Sequence, residues 1–497
     1  MTAMQGSRKP APTLPRTFPR TALAIVMAFA MAGCASVDID RAVATSNDDA
    51  ADFTQGALQL ARTPEQQRDR EAAADALLAQ PLDQNAAVRL ALQNSPQLQA
   101  LLAQSWADAA NGAQIGRLPN PVFDFERMRT VDELEFGRLL AFGLLDLITL
   151  PQRYGIAQRR TAQANIRLTR DVVAHVTQVR QAWVRAVAAE QSVAYARQVN
   201  DAAQASAELG RRMQAAGNFS RLERARQQAF YADAATQWAS ARQTVTATRA
   251  QLERLLGLTE AQAERLRLPP RLPDLPKAPM PPDRAARTAS AARLDVRLAQ
   301  ASYEAAARAQ GLTRITSLTD IELGVRHDTM FDRAEGGSTR RNGYEVSVRL
   351  PLFDDGSLRR DAIGAQTLAL THQLEATLRA AGSQLRESYG AYRTAYDVSR
   401  HYRDEVVPLR KLIAEENVLR YNGMFISVFE LLADTRAQVN SVIAAIDAER
   451  NYWLADAALQ AAIVGVPVAA NPASPAGVAG SAGGPMLAAQ GGGDAGH

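Results

Sequence analysis

The chain has 497 residues, with 56 Lys and Arg against 52 Asp and Glu, five His and one Cys. A single Cys excludes a disulfide framework and any multi-thiolate metal site, and an excess of four positive charges over this length gives no footing for a nucleic-acid partner. Aromatic residues are 6% of the chain, thin for a large globular core. Plentiful Ala and Arg favour long helices, and no run of 18 or more apolar residues is present to make an ordinary membrane-spanning helix.

Residues 1–33 read as a signal peptide. Arg8, Lys9, Arg16 and Arg20 precede an apolar run from Thr21 to Ala32, too short to span a bilayer but the right length for a secretory core. Without these four basic residues the two charge signs balance. The run ends in Met31-Ala32-Gly33-Cys34, which resembles the lipobox of bacterial lipoproteins. That resemblance implies lipidation of Cys34, and Ala35 after it implies outer-membrane retention. The alternative is a plain secretory signal cut near Ala30–Ala35, with Cys34 incidental.

Residues 34–80, polar and Ala-rich, read as a lipidated N-terminal arm or linker. Two repeats follow, 81–267 and 283–465, separated by a Pro-rich linker at 268–282 (LPPRLPDLPKAPMPP). Residues 466–497 are Ala/Gly/Pro-rich and read as a disordered tail. The repeats match in order. Pro121–Glu126 stands against Thr319–Gly324, Leu150-Pro151 and Arg159-Arg160 against Leu350-Pro351 and Arg359-Arg360, and Phe219-Ser220 against Ile426-Ser427. Each repeat runs helix, strand, strand, long helix, turn, helix.

The strands carry period-two patterns. Phe123 and Phe125 alternate with Asp124 and Glu126; Ile321, Leu323 and Val325 alternate with Glu322 and Arg326; Tyr344, Val346 and Val348 alternate with Glu345 and Ser347. These eight apolar positions are the candidate lipid-facing set. The second strand, near 136–149, is apolar on both faces, so its register is open. A small two-sided soluble sheet would show the same alternation.

Long helices are expected over 152–210 and 355–419, returning over 220–256 and 427–464. Apolar seams run through Val172, Val176, Val179, Trp183 and Ala186, and through Leu374, Leu378, Ala381, Leu385, Tyr389, Tyr392 and Tyr396. The reversals fall at Ala215-Ala216-Gly217-Asn218 and Tyr421-Asn422-Gly423, with glycine supplying the positive φ. Four strands cannot close a barrel, since single-chain membrane barrels start at eight, and open edges cannot face lipid. A membrane reading therefore requires oligomerisation, and three chains would supply twelve strands.

The body, 82–465, resembles the TolC-like outer-membrane factors. The matching stretches are 81–104 with Asn94-Ser95-Pro96, GRLPNPVFDFE at 116–126, RLPLFDDGSLRR at 349–360 and RYNGMFISVFELLADTRAQ at 420–438. The resemblance implies a mainly α fold whose four strands per chain join a 12-stranded trimeric β-barrel on a long α-helical barrel. It implies a homotrimer in the outer-membrane lipid, docked by a periplasmic adaptor protein that links it to an inner-membrane pump of the resistance-nodulation-division type. Gly217 with Ser220 and Gly423 with Ser427 then occupy the adaptor-docking tip turns, and Arg212, Glu223, Arg420 and Tyr421 are candidates for the tip gate. Helix-end cations favoured by the helix dipole are the plainer reading of Arg212 and Arg420.

No two of His175, His327, His372, His401 and His497 stand three or four apart, so no local metal site is written. No G-x-S-x-G, Walker A or G-x-G-x-x-G motif is present, and no nucleophile–base pair points to an enzyme. The expected function is a passive outer-membrane exit duct of a tripartite efflux system, without cofactor. A type I secretion duct and a non-conducting coiled-coil envelope lipoprotein are the rivals.

Overall fold

The computed structural model describes residues 37–317, 320–332 and 336–469. Cys34, the leader and the tail from 470 lie outside them. In chain order the elements are α1 Ile39–Asp49, α2 Ala51–Thr54, α3 Pro64–Leu77, α4 Gln84–Asn94, α5 Pro96–Gln114, β1 Val122–Arg129, β2 Glu133–Gly143, α6 Leu144–Ala215, α7 Arg221–Leu256, α8 Glu260–Arg265, α9 Pro282–Ala292, α10 Leu294–Thr316, β3 Ile321–Asp332, β4 Ser338–Val348, α11 Ser357–His401, a π-turn Tyr402–Val406, α12 Val407–Asn422 and α13 Val428–Ile463. The fold is mainly α with one small sheet. Two compact units emerge: a sheet unit of 109–161 and 307–364, and a helical unit of 38–108, 162–306 and 365–469.

In the sheet unit the strands lie in the order β1-β2-β3-β4, all antiparallel. The two hairpins are thus joined through β2 and β3 into one sheet, and β1 and β4 are its edges. The strand expected near 136–149 begins earlier, at Glu133, and stops at Gly143. From Leu144 the same apolar run is helical. At the switch the Asp146 carboxylate folds back so that a Cβ on Gly143 would lie 2.7 Å from Oδ2. The same carboxylate is ion-paired to Arg153, whose Nε donates to the Ile115 carbonyl at 3.0 Å.

In the helical unit the core forms along the first expected seam. Val172, Val176, Val179, Trp183 and Ala186 are all buried. The Trp183 indole N–H donates to the Leu82 carbonyl at 2.8 Å, which satisfies a polar group that burial would otherwise strand. At 1.5 Å per residue the helical-unit part of α6, from 162 to 215, is a rod of about 80 Å. The second seam is covered only in part. Tyr392 and Tyr396 are buried, whereas Leu378 is 54% exposed. Near the far end of α11 the helix widens into the π-turn just before Pro408, because a proline in mid-helix lacks the N–H that the preceding turn would accept.

Two segments differ from their reading as linkers. Residues 38–80 are no extended arm: α1, α2 and α3 pack on the core, with Ile39, Val43, Phe53 and Leu58 in the same buried cluster as Val172 and Trp183. Ser46 and Thr169 share a buried hydroxyl hydrogen bond of 3.0 Å, and Arg180 donates to the Asp52 carbonyl at 2.8 Å while standing 4.9 Å over the Phe53 ring. The Pro-rich stretch is a strap. Tyr389 donates to the Met280 carbonyl at 2.9 Å, Tyr392 accepts from the Met280 N–H at 3.0 Å, Tyr396 donates to the Pro276 carbonyl at 3.1 Å and Trp453 to the Pro273 carbonyl at 3.0 Å. Extended proline-rich backbone leaves its carbonyls unpaired within the segment, and these aromatic side chains take them.

The internal repeat is visible in the helix ends. The return helices α7 and α13 both finish beside a left-handed glycine, Gly257 at φ +68° and Gly465 at φ +77°. Each glycine abuts the start of its own repeat's short helix, Pro96 for the first and Asp295 for the second. Asn94 of the Asn94-Ser95-Pro96 motif donates its amide to the carbonyls of Leu256 at 3.2 Å and Gly257 at 2.9 Å, taking up carbonyls orphaned at the helix C-terminus.

Candidate functional site: a two-faced sheet and two tip turns

Directly paired residues of antiparallel strands share a face, so the register sorts every strand side chain. One face carries Phe123 and Phe125 of β1, Leu140 and Phe142 of β2, Ile321, Leu323 and Val325 of β3, and Tyr344, Val346 and Val348 of β4. All eight positions singled out from alternation fall together on it. All but the half-buried Ile321 stand open: Val325 is 60% exposed and Tyr344 85%.

The opposite face is charged. Asp124, Glu126, Glu322, Asp328 and Glu345 project there with Glu133 and Glu135. Arg326 sits among them, 3.0 Å from Asp328, 3.3 Å from Glu126 and 3.9 Å from Glu345. One guanidinium thus links carboxylates of β1, β3 and β4. Gly137 and Gly324 give the room. A Cβ at 137 would lie 3.3 Å from the Arg326 guanidinium, and one at 324 would lie 2.6 Å from Leu139 Cδ1. This settles the open register of β2: Leu139 is apolar on the charged face because it covers the bare backbone of Gly324. Arg326 as a hub escaped sequence reasoning, since two of its three partners, Glu126 and Glu345, stand on other strands.

The tip turns belong to the helical unit. At the first, Gly217 has φ +79°, the Asn218 N–H reaches back to the Met213 carbonyl at 2.9 Å and the Gly217 N–H to that of Gln214 at 3.0 Å. Ser220 caps α7 in a reciprocal box: Ser220 Oγ accepts from the Glu223 N–H at 3.2 Å, and Glu223 Oε2 accepts from the Ser220 N–H at 2.5 Å. These bonds from the backbone and hydroxyl of Ser220 hold the Glu223 carboxyl below the usual carboxylate range. At the second tip Ser427 caps α13, its Oγ accepting from the Glu430 N–H at 3.3 Å.

Gly423 departs from expectation. Its φ is −81°, and the left-handed residue is Met424 at φ +61°. The Phe425 N–H reaches the Arg420 carbonyl at 2.8 Å, the same six-residue closure as at the first tip. The offset that pairs Ser220 with Ser427 also pairs Gly217 with Met424, so the signal was in the repeat and the choice by residue type missed it. Gly423 serves close approach instead: a Cβ there would lie 2.7 Å from the Phe425 ring. A left-handed non-glycine residue costs roughly 1–2 kcal/mol. Met424→Gly is therefore expected to raise stability by about 1 kcal/mol, read from unfolding in denaturant. A loss of stability would contradict the turn geometry.

The gate candidates are not brought together as an ion pair. Arg212 donates to Glu208 at 2.8 Å on its own helix, Glu223 is engaged in its cap, and Arg420 and Tyr421 lend their carbonyls to the turn. Met424 and Phe425 stand 92% and 81% exposed beside them, an apolar pair that sequence reasoning did not single out. Away from the turns, Arg436 of α13 stands 4.2 Å over the Phe230 ring of α7.

Among the described residues no helix is long and apolar enough to cross a membrane, and no group of three or more His, Cys, Asp or Glu side chains is gathered for a metal ion. No family model matches the chain, and no curated protein does. Solved structures do match. A membrane protein from Pseudomonas aeruginosa aligns at a TM-score of 0.64 and 20% identity, over 79% of this chain and 93% of its own. The outer membrane channel CmeC of Campylobacter jejuni aligns at 0.64 and 14%, over 82% of this chain and 89% of its own. The outer membrane protein VceC of Vibrio cholerae aligns at 0.62 and 15%, over 80% and 97%. The chain has the TolC-like outer-membrane-channel fold. Within that TolC-like frame the two-faced sheet and the two capped turns are the features with chemistry to offer.

Proposed function

We propose that this chain is the outer-membrane channel of a tripartite efflux system, a passive duct working as a homotrimer. The observation that carries the reading is the sheet: one face without carboxylates and wholly apolar over its rows nearest the helices, the other charged, with β1 and β4 as unpaired edges. Unpaired backbone groups in lipid cost several kcal/mol each, so edge pairing between copies removes a large penalty, and three copies supply twelve strands. The half-covered seam of α11 offers a second contact between copies. The similar structures from Campylobacter and Vibrio, named as an outer membrane channel and an outer membrane protein, support the same assignment.

In this reading an adaptor protein docks at the turns around Gly217, Ser220, Gly423 and Ser427, with exposed Met424 and Phe425 as its apolar footing, and the energy comes from an inner-membrane pump of the resistance-nodulation-division type. Arg212, Arg420 and Tyr421 narrow the resting aperture, and acylation of Cys34 adds an outer-membrane anchor. The charged sheet face favours a duct over a non-conducting brace, which has no use for a water-facing wall. Reconstituted in planar bilayers, the full-length protein is expected to conduct weakly, with conductance rising when Arg212, Arg420 and Tyr421 are replaced by Ala. A bilayer-embedded trimer that conducts in neither form would overturn the channel assignment.

A further inference from the structure

The apolar face of the sheet is divided along the strands. Its rows nearest the helices are wholly apolar: Ile321 with Val348, then Phe142, Leu323 and Val346, then Phe123, Leu140, Val325 and Tyr344. The rows nearest the hairpins change character. They read Phe125, Arg138, His327 and Asn342, then Arg127, Phe136, Thr329 and Arg340, then Arg129, Leu134, Phe331 and Ser338. Every Arg on this face lies in those three rows, and the face carries no Asp or Glu at any paired position. Carboxylates of the strands are all on the other side.

Pairing sharpens the contrast. Arg326 on the charged face has three carboxylates within 4 Å. Among the described residues Arg127, Arg129, Arg138 and Arg340 have no carboxylate partner. Arg127 stands 6.0 Å over the Phe136 ring, and Phe136 meets Phe125 and Phe331 at 6.1 Å each. Three aromatic rings with exposed guanidiniums between them, directly beyond an apolar band, match an interfacial layer, where rings settle at the headgroups and Arg binds phosphate in fork geometry.

We propose that Arg127, Arg129, Arg138 and Arg340 form a belt that binds the phosphates of lipid headgroups in the leaflet at the hairpin end of the sheet. The inference rests on the reading of this face as the one turned to the bilayer. The band of apolar rows holds acyl chains, and the belt begins one row beyond it, at headgroup depth. The ligand is a lipid phosphate monoester, more highly charged than the zwitterionic phosphodiester of phosphatidylcholine. The rings around the belt bind its glycerol or sugar edge, which a free anion does not have.

The test uses the full-length protein in phosphatidylcholine nanodiscs doped with diphosphoryl lipid A or with its dephosphorylated form. Lipid retained after detergent extraction is counted by native mass spectrometry. Wild-type protein is expected to keep the phosphorylated lipid about tenfold or more over the other. The variant Arg127→Gln/Arg129→Gln/Arg138→Gln/Arg340→Gln loses that preference, and the matching Arg→Lys variant keeps most of it. Equal retention of both lipids by the wild type, an unchanged preference in the Gln variant, or displacement of the lipid by inorganic phosphate overturns the belt. If the protein enters nanodiscs and shows no preference, the belt alone fails. If it does not enter at all, the bilayer reading of the face fails with it.

Discussion

Val346→Arg is expected to remove the full-length protein from the membrane fraction, whereas Ser347→Arg, one residue along the same strand, leaves it there. Val346 lies in the middle apolar row of the open face, paired to Leu323, and Ser347 lies on the charged face, paired to Glu322. An Arg near the bilayer midplane of a barrel costs about 2–4 kcal/mol, and the cost recurs in every copy of an oligomer. On the other face the same side chain meets the Glu322 carboxylate and water. Carbonate-washed membranes, followed by unheated gel migration of the oligomer, read both variants. Equal loss of the two would mean that the penalty does not distinguish the faces, and equal retention would mean that the apolar face does not meet lipid.

Gly257→Val is expected to lower stability by about 3–5 kcal/mol, against about 1–2 kcal/mol for Gly217→Ala. Both glycines are left-handed, at φ +68° and +79°, so each substitution incurs the strain of a side chain at positive φ. Surroundings separate them. Nothing lies within 4 Å of a Cβ at 217, whereas a Cβ at 257 would lie 2.4 Å from Pro96 Cδ and 2.8 Å from the Ser95 Cα. Ring and backbone cannot rotate away, so overpacking adds to the strain. The displaced helix end would also release the Asn94 amide from its two carbonyls. Unfolding in denaturant of the full-length protein measures the difference. A Gly257→Val shift no larger than that of Gly217→Ala would show that the Asn94-Ser95-Pro96 dock is soft.

Much of the two-faced sheet is legible in the residue pattern alone. Eight apolar positions chosen by alternation occupy one face because alternation is a local property: two residues along a strand always return to the same side. The first helical seam is legible for the same reason, with 3.6 residues per turn in place of two. The β2 register is not, since Leu139 is placed by Gly324, a residue of a different strand. At the second tip, residue type favoured Gly423 and the turn selected Met424, because the six-residue closure counts positions from Arg420 and takes whatever side chain stands there.

Period and repeat therefore belong to the chain itself: helix seams, strand faces, the two reversals and their serine caps follow from spacing along a few consecutive residues. Membership of the core does not. Residues 38–80 and the proline strap carry their apolar side chains without a long period, and beside buried Ile39, Phe53, Leu272 and Leu275 they are fastened by backbone carbonyls of Asp52, Pro273, Pro276 and Met280 accepting from Arg180, Trp453, Tyr396 and Tyr389. Every residue type carries the same carbonyl, so no composition or periodicity marks the ones that are used. Only folding, which brings side chains more than a hundred positions away onto them, makes the choice.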